Sequence, residues 1–118
     1  MVGPVSWIRP APALFADESL LMIQHMLLFS FLDGVDETSR RALLDALRDF
    51  PARFPQMRHW RIGPNISERD QSYQYAMTVQ FERRTDLDAY LRSDYHERFV
   101  VERFRPVIKQ RAIATIEI

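Results

Sequence analysis

Three side chains in this sequence combine a titratable or hydrogen-bonding group with a place beside apolar residues. Tyr90 and His96 stand six positions apart in "AYLRSDYHERF", and His25 sits within "IQHMLLFSF". Imidazole titrates near neutrality and a phenol donates a hydrogen bond, so Tyr90 and His96 could serve as an acid/base pair facing a pocket. The other reading is a packed ring and a solvated imidazole. Six residues of unbroken helix turn through about 600°, or roughly 240° net, which would point the two side chains apart. They converge only if the helix ends near Ser93-Asp94, residues that tolerate such a turn. For each group a structural role stands beside the chemical one. Tyr90 could be a core-edge aromatic with its hydroxyl at the surface. His96 could be an exposed or cap-like group opening the next helix, and His25 a hydrogen-bonded core residue.

Other chemistries lack their residues. The chain has 118 residues and no cysteine, hence no disulfide, thiolate nucleophile or Cys-based zinc site. The histidines 25, 59 and 96 lack metal-ligand spacing, so no metal site and no cofactor are expected. Only three glycines are present, with no phosphate loop and no nucleophile elbow. Lys plus Arg and Asp plus Glu both number 16, so no global field would gather nucleic acid or anionic lipid. No segment reaches the ~18–20 apolar residues of a membrane span. A cytoplasmic location fits, with neither nucleic acid nor membrane as partner.

Alternation and helical spacing then place the candidates on elements. Residues 23–32 alternate, with Ile23, His25, Leu27, Phe29 and Phe31 on one face. Asp36 is an N-cap for a helix over 37–50 whose stripe is Leu43, Leu44, Leu47 and Phe50, ended by Pro51 and Pro55. A short strand over 57–63 sets Arg58, Trp60 and Ile62 opposite Met57, His59 and Arg61. The strand over 73–82 aligns Tyr73, Tyr75, Met77, Val79 and Phe81. Thr85 and Asp88 resemble a capping box opening a helix near 86–93. A helical piece over 95–109 must kink or restart at Pro106, and 111–118 closes as a strand. The first stretch, 1–21, is Pro-rich and reads as an irregular arm ahead of a domain over 22–118; Met22 is a second candidate start of translation.

The order β-α-β-β-α-β is that of an α+β, ferredoxin-like protomer: a four-stranded antiparallel sheet with helices on one face. The opposite face would carry Met26, Leu28, Ala76 and Thr78, too apolar to leave in water. Two sheets closing on each other would cover it, so a homodimer is expected, a dimeric α/β barrel.

The strand-1 histidine in "IQHMLLFSF", the pattern of "YQYAMTVQFE" and the segment "DLDAYLRSDYH" together resemble the stress-responsive dimeric α/β-barrel family, commonly called Dabb, over about residues 22–118. The resemblance implies a ferredoxin-like protomer that pairs into a dimeric barrel. It also implies that many members have no demonstrated activity, while one plant member, olivetolic acid cyclase, closes a linear polyketide by aldol condensation. Position by position, its catalytic tyrosine and histidine correspond to Tyr90 and His96, and its strand-1 pocket histidine to His25. A strand-3 histidine is replaced here by Tyr75, and a pocket tyrosine of the first helix by Leu47. The common "HPAH" is "SDYH" in this chain. Carried across, His96 would be the base that removes a proton alpha to a carbonyl, and Tyr90 the hydrogen-bond donor to the developing oxyanion. His25, Tyr75 and Leu47 would shape the ligand site. Three functions are thus open: a barrel that binds a small organic molecule without turnover, a polyketide-cyclase-like or isomerase enzyme, and a structural assembly organised by the arm.

Overall fold

The computed structural model describes residues 22–118, and the arm over 1–21 lies outside the described residues. Four strands form one antiparallel sheet: β1 (Ile23–Phe31), β2 (Arg58–Pro64), β3 (Tyr75–Phe81) and β4 (Ile108–Glu117), in the order β2-β3-β1-β4. Four helices lie between them: α1 (Glu37–Arg48), α2 (Phe50–Arg53), α3 (Arg84–Arg92) and α4 (Asp94–Phe99). β3 and β1 are therefore the central strands and β2 and β4 the edges, and the sheet is ferredoxin-like in connectivity.

β1 holds the sheet together because its period-2 apolar register suits burial on the helical side. Its residues pair with β3 from Ile23↔Phe81 to Phe29↔Tyr75 and with β4 from Ile23↔Glu117 to Phe29↔Arg111. Ile23, Phe29, Phe31, Met77, Val79 and Phe81 form the sheet's half of the core. The helices supply Leu43, Leu44, Leu47, Phe50, Leu87, Tyr90 and Phe99. α1 starts where its cap directs: the Asp36 carboxylate accepts from the Ser39 amide at 2.8 Å.

Several boundaries differ from the expectations. α1 stops at Arg48, and Pro51 opens the short α2 instead of ending α1, because a proline in the first turn forfeits no helical hydrogen bond. No capping box forms at Thr85: α3 begins at Arg84 after an Arg83 cap that makes no side-chain bond. The last helical piece does not run to 109. α4 ends at Phe99, Val100–Phe104 forms a wide π-type turn, Arg105–Val107 a tight 3₁₀ turn around Pro106, and β4 begins at Ile108.

β2 departs most. His59 has φ 51° and the pairing with β3 shifts between Arg58 and Arg61, which marks a bulge. The extra residue resets the alternation, so Met57 is buried in the core while Trp60 and Ile62 pack against the same core. The expected opposition of Met57 and Trp60 is lost for that reason.

Candidate functional site

The site is assembled at a helix junction. α3 ends at Arg92, and Ser93 leaves the helical region with ψ 146°, so the chain turns before α4 starts at Asp94. Ser93 serves both helices. Its hydroxyl donates to the Tyr90 carbonyl at 2.8 Å and accepts from the His96 amide at 3.1 Å. That break brings the Tyr90 and His96 rings to a centroid separation of 4.6 Å. His25 reaches the same place from β1, its ring edge-on to Tyr90 at 6.4 Å.

Tyr90 is fixed by apolar neighbours. It stacks on Phe81 at 5.7 Å and meets Phe54 at 4.9 Å and Phe50 at 6.1 Å edge-to-face. Burial lifts its phenol above the ordinary range, so it stays a protonated donor at any physiological pH. His96 is half-buried, and its Nδ1 lies 3.1 Å from the Leu91 carbonyl. A carbonyl oxygen only accepts, so Nδ1 carries the hydrogen and Nε2 keeps its lone pair. Burial pushes the His96 pKa down, opposed in part by the Leu91 carbonyl and Glu97. Burial, and then the like charge of His96, pushes that of His25 down. Both imidazoles are therefore held toward the neutral form. The His25 Nδ1 meets the Thr115 hydroxyl at 2.8 Å, a contact set by the His25↔Thr115 register.

These groups border a cavity of about 410 Å³ between the sheet and the helices. His25, Leu47, Tyr90 and His96 all line it, together with Leu27, Phe50, Met77 and Phe104. Tyr75 does not. It stacks on Phe29 at 5.6 Å and lies edge-on to Phe31 at 5.7 Å, part of the aromatic packing beyond the cavity. Among the described residues no group of His, Cys, Asp and Glu has an arrangement that could hold a metal ion.

The sequence reading passed over several lining groups. Arg111 and Ile113 face the cavity from β4, on the same face as Thr115, which the alternation of "RAIATIEI" alone could have grouped. Glu97 and Arg105 enter from α4 and the 3₁₀ turn. Arg105 had no such signal, since the π-type turn that aims it has no sequence period.

A four-stranded ferredoxin-like sheet with a helix-roofed cavity defines a small α+β barrel-type domain. The chain belongs to the Dabb family: the model of the stress-responsive A/B barrel domain matches residues 23–118. An uncharacterized protein of Streptomyces coelicolor is 31% identical over 78 residues, 64% of this chain and 80% of that protein. A dimeric ferredoxin-like protein of unknown function from Thermobifida fusca superposes with a TM-score of 0.71 at 19% identity, covering 83% of this chain and 92% of that one. The hydroxynitrile lyase of Passiflora edulis superposes with a TM-score of 0.76 at 14% identity, covering 84% and 94%. Among the described residues no helix is long and apolar enough to cross a membrane.

Proposed function

We propose that the protein is a cytoplasmic homodimer that binds a small organic molecule in the cavity beneath its helices. The observation that carries the reading is the cavity of about 410 Å³ walled largely by aliphatic and aromatic side chains, with His25, Tyr90 and His96 converging at one part of it. An apolar pocket with a few aimed polar groups is the usual form of a ligand site. The dimer is inferred from the outer sheet face. Leu28 and Ile116 remain 37% and 49% exposed there, and Met26 pairs with Thr78 and Ala114 across the strands. The Thermobifida fusca relative is described as dimeric, which supports the same assembly. The binding reading is tested by thermal shift with a panel of cyclic and linear carbonyl compounds. A rise in Tm that Leu47→Trp removes by filling the cavity is expected; no rise across the panel overturns it.

The 4.6 Å approach of Tyr90 to His96 favours a second reading, acid/base catalysis of the cyclase or isomerase type. His96 Nε2 takes a proton from carbon alpha to a carbonyl, and the Tyr90 hydroxyl donates to the enolate oxygen. His25 and Leu47 bound the substrate. The Passiflora edulis hydroxynitrile lyase is an enzyme on a similar fold, which makes turnover a reasonable test and assigns no reaction to this chain. Exchange of alpha hydrogens of a 1,3-diketone into heavy water, faster than in buffer alone and lost in His96→Gln, is the expected result; exchange unaffected by His96→Gln overturns it.

A further inference from the structure

We propose that the cavity takes an amphipathic monoanion, a carboxylic acid with an apolar body, whose carboxylate is held by Arg105 and Arg111 at the mouth. This rests on the reading of the cavity as a ligand site and names the class of ligand it selects.

The charges around the cavity are not evenly spread. Its interior wall is Leu27, Leu47, Phe50, Met77, Phe99 and Phe104, and its charged lining is confined to Glu97, Arg105 and Arg111. Arg105 and Arg111 are both exposed, and neither has an ion-pair partner among the described residues. Elsewhere Arg41, Arg48, Arg53, Arg58 and Arg98 each meet a carboxylate, while Arg61, Arg69, Arg83, Arg84, Arg92 and Arg103 are exposed without an ion-pair partner among the described residues. What sets Arg105 and Arg111 apart is that both line the cavity. Two guanidinium groups against one carboxylate leave a positive balance at the opening, with both imidazoles held toward the neutral form by burial. That balance suits a monoanion better than a phosphate dianion, and the planar fork of arginine pairs with a carboxylate through two parallel hydrogen bonds.

Geometry sets the ligand's length. Arg111, Ile113 and Thr115 lie on the helix-facing side of β4, and Thr115 bonds His25 at 2.8 Å. Four residues of strand separate Arg111 from Thr115 by about 13 Å. After the reach of the arginine side chain is taken off, an acid on the order of eight carbons would span the cationic mouth and the polar end at His25, Tyr90 and His96. Ile113, 50% exposed, and Val101, 56% exposed, offer further apolar surface beside the opening.

The test titrates the full-length protein by calorimetry with octanoate and with 1-octanol, which share an apolar body and differ in charge. Octanoate is expected to bind about tenfold more tightly than the alcohol, with the preference shrinking as ionic strength rises. Arg105→Gln/Arg111→Gln is expected to abolish the preference and leave octanol binding unchanged, which also reports an intact cavity. Glu97→Gln is expected to tighten octanoate severalfold. Equal binding of acid and alcohol by the unaltered protein, or a preference that survives the double substitution, overturns the anion site while leaving the cavity reading in place. Binding of neither compound overturns both.

Discussion

The hydroxyl of Ser93 joins Tyr90 to His96: it donates to the carbonyl of the first at 2.8 Å and accepts from the amide of the second at 3.1 Å. One serine thus ends α3, caps α4 and sets the ring-to-ring approach of 4.6 Å that an unbroken helix would forbid. Removing the oxygen should loosen that geometry. Ser93→Ala is expected to cost about 1 kcal/mol, the usual loss for a helix cap, and to lower Tm by about 4 °C in calorimetry. An unchanged Tm would mean that packing alone holds the junction.

Leu28 is 37% exposed at the centre of the outer sheet face, opposite Ala76 on β3 and Ala112 on β4. If two copies bury this face, a charge there must be desolvated without a partner. Leu28→Asp is expected to convert a dimer into a monomer in analytical ultracentrifugation, with the circular dichroism spectrum retained. A monomeric unaltered protein would refute the dimer outright.

Acid should destabilise the fold through the buried imidazole of His25 and the half-buried one of His96. Burial holds the folded-state pKa of His25 and of His96 below the ordinary imidazole value of 6.5, so the unfolded chain binds more protons as pH drops. Stability is then full above pH 6.5 and declines as pH falls through the folded-state pKa values. Tm followed from pH 8 to pH 5 is expected to be flat at first and then to fall, and His25→Gln/His96→Gln is expected to flatten part of the decline, read against the unaltered protein in the same buffers.

Phe50 touches Tyr90, Phe54, Tyr95 and Phe99, with its closest ring, Phe99, at 4.9 Å. It is the aromatic hub beneath both site helices and is 1% exposed. Phe50→Ala is expected to cost about 3–5 kcal/mol by chemical denaturation, from lost burial plus the void left behind. A loss under about 1 kcal/mol would show that α2 and α4 close over the gap.

If the protein turns over a carbonyl substrate, Tyr90→Phe and His96→Gln should separate donor from base. Tyr90→Phe is expected to keep ligand affinity and lower kcat on the order of 10²-fold, since only the oxyanion contact is lost. His96→Gln should lower kcat by about 10²–10⁴-fold and erase the acidic limb of the pH–rate profile. A Tyr90→Phe protein with unchanged kcat would remove the hydroxyl from the chemistry.

The sequence by itself determined the elements whose periods are local. Alternation in "IQHMLLFSF" and "YQYAMTVQFE" marked β1 and β3, Asp36 marked the start of α1, and Ser93-Asp94 marked the one place where Tyr90 and His96 could converge. Each of these rests on neighbours within a few residues, so the information lies in the order of the chain. Tertiary structure decided what depends on register and on distant partners. The β2 bulge at His59 put Met57 and Trp60 into one core, Phe29 and Phe31 drew Tyr75 away from the cavity, and β4 delivered Thr115 to His25 from 90 residues away. The π-type turn at Val100–Phe104 and the 3₁₀ turn after it put Arg105 among the groups that line the cavity, as β4 does Arg111. A one-residue shift in pairing exchanges the faces of a strand, and no local pattern encodes which partner will fix it.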